Sequence, residues 1–335
     1  MAVKDFVGEG KSPEYIEFLK TRVSPNVKPE VAKLMIDYAL SPEEHMKVLT
    51  RIEDYCFAGK YPVRNPKIYL VISQTGAGKS SLTSHLMKVN HQNTVVIDSD
   101  AFKAFNPKRN FICAKYPTLY GYLTGIDAYL HRDEIYEKAL QEGYNVLIEV
   151  APSTKERLFN IDFEELARYG YNIDANILAV SRANSLLSIH ERFEGQIEAK
   201  MNSPKLTDFK RANDSYDSLG MVLEDLLELP NVSVNIWQRG SYDMMKEDEY
   251  MPSPVLLTRD KTEAVEVFQD ARRRDEESTM RDAPRRIKIV KEQMEARRAP
   301  TDQRAQFSQV EKIIDDLELS YNWLTNSSEE KNETN

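Results

Sequence analysis

Cysteine is nearly absent from the 335 residues: Cys56 and Cys113 are the whole inventory. Two thiols cannot staple a secreted scaffold, so the composition suits a reducing, cytoplasmic compartment. No apolar run reaches the roughly 18 residues that a membrane-crossing helix needs. The opening Met1-Ala2-Val3-Lys4-Asp5-Phe6 lacks the basic-then-apolar build of a secretion signal. Basic excess is missing too. With 45 Lys and Arg against 54 Asp and Glu the net charge is −9, and a pI near 5.3 argues against a broad nucleic-acid surface. There is no internal repeat and no Asn-Lys-x-Asp guanine signature, and neither His85 nor His190 reads as a metal site. Membrane-spanning, secreted and collagen-like classes are excluded.

What is present is a charged, helix-rich chain with one stretch of different texture. Residues 1–62 read as a helical extension. Ser12-Pro13 is an N-cap followed by proline at the first helical position, and Ser41-Pro42-Glu43-Glu44 is a capping box. From Lys67 short apolar runs alternate with helical spacing: Ile68 to Ile72, Thr94 to Ile97, Asn145 to Ile148, Ala175 to Val180 and Val232 to Trp237. That alternation predicts an α/β domain over 63–245, a doubly wound parallel sheet whose ligands sit beyond the carboxyl ends of its strands. After about residue 245 strands stop. A charged helical extension is expected over 246–325, with helices at 263–274, 285–298 and 303–323, then a disordered tail over 326–335. Residues 272–298 hold eight Arg and two Lys against six acids, an interleaving expected of i, i+4 pairs on a solvated helix.

Ser73-Gln74-Thr75-Gly76-Ala77-Gly78-Lys79-Ser80 follows the first strand directly and opens a helix at Ser81-Leu82-Thr83. Glycines let the backbone turn its N–H groups around a phosphate, Lys79 reaches the β- and γ-phosphates, and the Ser80 hydroxyl takes a Mg²⁺ position. The helix start aims its positive dipole end at the same anion. Gly76, Ala77, Gly78, Lys79, Ser80 and Ser81 are therefore the candidate residues for binding a nucleoside triphosphate. Ser73 stands where such loops usually begin with glycine.

The second strand ends in Asp98-Ser99-Asp100. If strand geometry continues, the two carboxylates point to one side, one acting on metal through water and the other taking a proton from an acceptor hydroxyl. A helix N-cap pair is the alternative. Glu149 ends the third strand, and no run of adjacent acids stands there, which disfavours a motor ATPase. The segment Ser188-Ile189-His190-Glu191-Arg192-Phe193-Glu194, followed by Lys200, Lys205, Lys210 and Arg211, fits a basic lid over a transferring phosphoryl group.

In order and spacing, Gly76 to Leu82, Val96-Ile97-Asp98-Ser99-Asp100-Ala101-Phe102-Lys103, Glu142 to Glu149, Ile189 to Glu194 and Ile236-Trp237-Gln238-Arg239 resemble the zeta toxin kinases of bacterial toxin–antitoxin systems. The resemblance runs from about Lys67 to Gly240. It implies an enzyme that uses ATP and Mg²⁺ to phosphorylate the 3′-hydroxyl of UDP-N-acetylglucosamine. It further implies Asp100 as general base, Arg192 as the lid arginine, Arg239 beside the adenine, and Asp133 and Glu149 on the substrate side. Lys205 or Arg211 would supply a second lid cation. The family tends to follow the third strand's Glu with Gly-Thr and an Arg; this chain has Glu149-Val150-Ala151-Pro152-Ser153-Thr154, so another acceptor, a different nucleotide sugar or NAD, stays open. A nucleic-acid end kinase and a non-catalytic ATP-gated regulator are the other readings. The family is held off by a helical antitoxin, so the implied partner is an antitoxin in trans or a flanking helical segment in cis; the alternative is that the flanking helices only complete the fold.

Overall fold

The computed structural model describes residues 2–6, 10–89, 92–152, 163–201, 204–240 and 253–332. It opens with α1 (Pro13–Lys20), α2 (Pro29–Tyr38) and α3 (Pro42–Phe57), each with proline in its first turn, where no helical N–H bond is lost. The Ser12 hydroxyl accepts from Tyr15 N at 3.2 Å. Ser41 and Glu44 close a reciprocal box: Ser41 Oγ accepts from Glu44 N, and Glu44 Oε2 accepts from Ser41 N at 2.9 Å. Both helix starts are those the sequence predicts.

Next come β1 (Lys67–Ile72), α4 (Lys79–Val89), β2 (Val95–Ile97), α5 (Ser99–Phe102), α6 (Arg109–Lys115), α7 (Tyr120–Leu123), α8 (Gly125–Glu142) and β3 (Val146–Val150). After them lie α9 (Phe163–Arg168), β4 (Asn172–Ala179), α10 (Arg182–Glu198), α11 (Phe209–Glu228), β5 (Val232–Gln238), β6 (Val255–Thr258), α12 (Ala264–Ala296) and α13 (Thr301–Asn332). The six strands form one sheet in the order β2-β3-β1-β4-β5-β6. Val95, Val96 and Ile97 pair in parallel with Val146, Leu147 and Ile148. The fold is the expected α/β one with helical extensions.

Four local expectations change. β6 is a strand beyond residue 245, antiparallel to β5 with Trp237 opposite Leu256; its four-residue run behind Pro254 is too short to distinguish from loop by pattern, and edge position tolerates the proline. The helices expected at 263–274 and 285–298 are one helix, α12, which carries Pro284 inside it. Buried Ala283 and Val290 hold that stretch in a packed core, which outweighs the roughly 3 kcal/mol cost of an interior proline. α13 continues through Asn332 rather than giving way at 326, since adding residues to an existing helix avoids the nucleation cost. β2 stops at Ile97, so Asp98 and Asp100 are not on one strand edge.

The chain folds as two compact units: residues 1–69, 86–149 and 162–173, and residues 70–85, 150–161 and 174–335. In the first, Tyr15, Leu19, Met35, Ile112, Leu123, Ile126 and Leu130 form a core drawn from α1, α2, α6, α7 and α8. Beside it His45 of α3 stacks on His131 of α8 at 3.9 Å, and fully buried Asp127 accepts from Leu40 N at 3.0 Å. Burial raises the Asp127 carboxyl to about 6. In the second unit, Leu186, Leu187 and Ile189 of α10 pack with Val290 and Met294 of α12 and Phe307, Val310 and Ile314 of α13. Among the described residues no helix is long and apolar enough to cross a membrane.

Candidate functional site

The loop between β1 and α4 is built by two left-handed glycines. Gly76 has φ +86° and Gly78 φ +93°, a region that other residues enter only at a cost. Gly76 has a second constraint. A Cβ there would overlap the Ser185 carbonyl of α10 and stand 2.8 Å from Ile189 Cγ1, so the loop is pressed onto the helix backbone. Lys79 Nζ donates to the carbonyls of Ser73 at 3.1 Å and Gln74 at 3.0 Å. The ammonium is thus held on the loop's own oxygens. Ser80 and Ser81 follow it in the first turn of α4, and Ser81 N donates to Gly78 O at 3.0 Å.

Ser73, the departure from the usual glycine, is buried and ties the loop to β4: its hydroxyl donates to Leu178 O at 2.8 Å. Gln74, which sequence reading passes over, is the stronger brace. Its amide donates to Val180 O at 2.7 Å and to Ser185 Oγ at 2.6 Å, and Thr75 N donates to Ser215 Oγ of α11 at 3.3 Å. No local spacing announces these partners, which lie more than 100 residues away in sequence. Arg239, past the end of β5, lies at the same loop. A Cβ on Gly78 would meet its Nε at 3.6 Å, and its Nη1 donates to Ser188 Oγ at 2.9 Å.

The expected lid segment is α10, and most of its polar residues face the C-terminal helices. Glu191 takes a bidentate pair from Arg286 of α12, both bonds 2.7 Å. Glu194, 1% exposed, takes another from Arg297 at 2.6 and 2.7 Å. His190 is buried against Phe307 at 4.9 Å, and burial lowers its imidazole to about 4. Arg192 is exposed on α10, and Lys205 is exposed, its backbone N donating to Gln196 Oε1 at 2.7 Å. The basic stretch 272–298 therefore divides: Arg273 and Arg285 pair within their own helix, as the spacing predicts, while Arg286 and Arg297 reach across to α10.

In the other unit, Asp98 caps α5, its Oδ1 accepting from Asp100 N at 2.9 Å and Ala101 N at 3.3 Å. That satisfies orphan amides of a helix start. Asp100 sits in the first turn, half exposed, with Lys103 Nζ 2.7 Å from its carboxylate. The i, i+3 spacing is the signal that would have named Lys103. Asp133 of α8 pairs with its neighbour Arg132, and Glu149 is exposed near the end of β3. Ser153 and Thr154 lie outside the described residues, as does the boundary near 245. Among the described residues no group of three or more His, Cys, Asp or Glu is placed to hold a metal.

The Zeta toxin family model matches residues 54–247, more than half of the chain. Toxin zeta of Streptococcus pyogenes and Toxin zeta of Enterococcus hirae are each 30% identical over 138 residues, 41% of this chain and 47% of the relative. The chain thus spans about half the length of these curated relatives. In fold, it is similar to a solved structure from the PezAT chromosomal toxin-antitoxin system of Streptococcus pneumoniae. The TM-score is 0.61 at 21% identity, covering 76% of this chain and 98% of that one. A glycine-lysine loop clamped between sheet and helix, within a matched region of this extent, establishes that the chain belongs to the zeta toxin family.

Proposed function

We propose that this protein is an ATP-dependent phosphotransferase, moving the γ-phosphoryl group of ATP to a hydroxyl of a nucleotide sugar such as UDP-N-acetylglucosamine. The observation that carries the reading is the clamped loop: Gly76 and Gly78 in left-handed conformation, and the Lys79 ammonium parked on two loop carbonyls. Phosphate oxygens are stronger acceptors than those carbonyls, so a bound triphosphate takes over the same charge. The backbone amides and the start of α4 add further donors. The donor set also fits Mg²⁺, which shares one serine hydroxyl, Ser80, with phosphate and water oxygens and does not require a cage of carboxylates. When bound, the ion neutralises charge on the phosphates.

In this reading Asp100 takes the proton of the acceptor hydroxyl, and Lys103 beside it holds the carboxylate turn in place. Lys79 and Arg192 neutralise charge on the moving phosphoryl group, Arg239 contacts the nucleotide from the loop after β5, and Asp133, Glu149 and Lys205 remain candidates for acceptor contacts. We further propose that a helical antitoxin acts in trans. The N-terminal helices are poor candidates for a detachable inhibitor because Tyr15, Leu19 and Met35 are buried in the core of their own unit.

Labelled γ-phosphate transfer tests this. Wild type and Asp100→Asn are run against a UDP-sugar panel, NAD and a short oligonucleotide. Labelled UDP-N-acetylglucosamine from wild type alone is the expected result. A labelled NAD or oligonucleotide would keep the chemistry and replace the acceptor. ATP binding with equal, undiminished function in Asp100→Asn would overturn the enzyme reading in favour of a gated binder.

A further inference from the structure

The C-terminal helices lie outside the part of the chain that the family model matches, yet α12 is hydrogen-bonded to Ser188, which also holds Arg239 beside the glycine loop. Ser181 at the N-cap of α10 and Asn184, Ser188, Glu191 and Glu194 on it recur at steps of three or four and so form one stripe. Facing them are Asp275 and Arg286 of α12 and Arg297 at its C-cap, spaced by eleven residues, which is three helical turns. Asp275 accepts from Ser181 N at 2.8 Å and from the Asn184 amide at 2.9 Å. Arg286 donates to Asn184 Oδ1 at 2.9 Å, to Ser188 Oγ at 3.2 Å and to both oxygens of Glu191.

Ser188 is the junction. A hydroxyl has one proton to give and two lone pairs to offer, and here all three are used. It donates to Asn184 Oδ1 at 3.5 Å and accepts from Arg286 and from Arg239. Arg239 is the guanidinium whose Nε borders Gly78. Two cations on one hydroxyl are tolerable because Glu191 balances the charge of Arg286, which is 12% exposed.

We propose that Arg286 is a positioning residue for the nucleotide site: through the Ser188 hydroxyl it orients Arg239 at the phosphate loop, making α12 part of the ATP site's framework. Loss of Arg286 removes one of the three bonds that fix the Ser188 side chain and one that fixes its partner Asn184, so the acceptor of the Arg239 Nη1 is held less firmly. A Lys at 286 cannot substitute, because an ammonium lacks the planar fork that spans Glu191, Asn184 and Ser188 at once. The inference rests on ATP binding at this loop, as proposed above.

Titration of Mg²⁺-ATP into the full-length protein tests it, with wild type, Lys79→Met, Arg239→Gln, Arg286→Gln, Arg286→Lys, Ser188→Ala and the Arg239→Gln/Arg286→Gln double variant. The dissociation constant should rise about tenfold in Arg286→Gln, about as much in Arg286→Lys, and severalfold in Ser188→Ala. In the Arg239→Gln background, Arg286→Gln should add less than about twofold, the signature of two residues acting as one unit. Unchanged affinity in Ser188→Ala and Arg286→Gln, or losses that multiply in the double variant, would overturn the proposal. If Arg286→Gln does not fold, the Ser188→Ala and Arg239→Gln cycle decides by the same criterion. Equal ATP binding by wild type and Lys79→Met would instead remove the loop as the ATP site, a separate failure.

Discussion

Gly76 and His190 show how much a single position can carry. Gly76 meets two demands at once, a left-handed φ and an overlap with the Ser185 carbonyl for any side chain. The Gly76→Ala variant should lose at least about 1–2 kcal/mol from conformation alone and lose ATP affinity because the loop moves off α10; thermal unfolding and ATP titration check both. His190 is held neutral by burial, its folded value about 4 against 6.5 in water. The unfolded chain takes up that proton first. The stabilisation is therefore full above pH 6.5 and is lost, at about 1.4 kcal/mol per pH unit, as pH falls toward 4. His190→Phe should flatten that part of the stability–pH curve in equilibrium urea unfolding, whereas an unchanged slope would assign the acid sensitivity to other groups such as His131. The loop residues were legible because Gly, Lys and Ser must occupy fixed places to bind phosphate. Gln74, Ser185 and Ser188 were not, since their partners become neighbours only after folding.

At the scale of elements, α10 and α12 are joined by ion pairs of unequal exposure. Glu194 is 1% exposed, so Arg297→Gln leaves a buried carboxylate without its countercharge and should cost about 3–5 kcal/mol. Adding Glu194→Gln should restore much of that, measured as a double-mutant cycle in urea. Two independent, additive losses would show that the pair is not a unit. Capping residues made α1 and α3 readable, because a cap is a local arrangement with a local signature. α12 was misread as two helices because its Pro284 is a local breaker overruled by distant packing of Ala283 and Val290. β2 ended a residue before Asp98 for a related reason: the carboxylate of Asp98 competes for backbone amides and starts α5.

For the whole molecule, both terminal segments belong to cores. Deleting residues 1–60 removes Tyr15, Leu19 and Met35 and uncovers Ile126 and Leu130, so insoluble protein is the expected outcome; a soluble, folded fragment with raised activity would reinstate an inhibitor in cis. Alternating strand and helix patterns made the α/β class visible, since burial on both faces of a sheet dictates that periodicity. The division into units was not visible, because each is assembled from three separate stretches of chain. That arrangement has a consequence in time. The phosphate loop leaves the ribosome early, at residues 73–80, whereas Arg286 and Arg297 follow about 200 residues later, a delay of roughly 10–40 s at ordinary synthesis rates. Throughout that interval the nascent chain carries the loop without the helix that completes its bracing. If Arg286 positions Arg239 as proposed, nucleotide binding by the growing chain should reach full strength only when α12 has been made and has packed on α10.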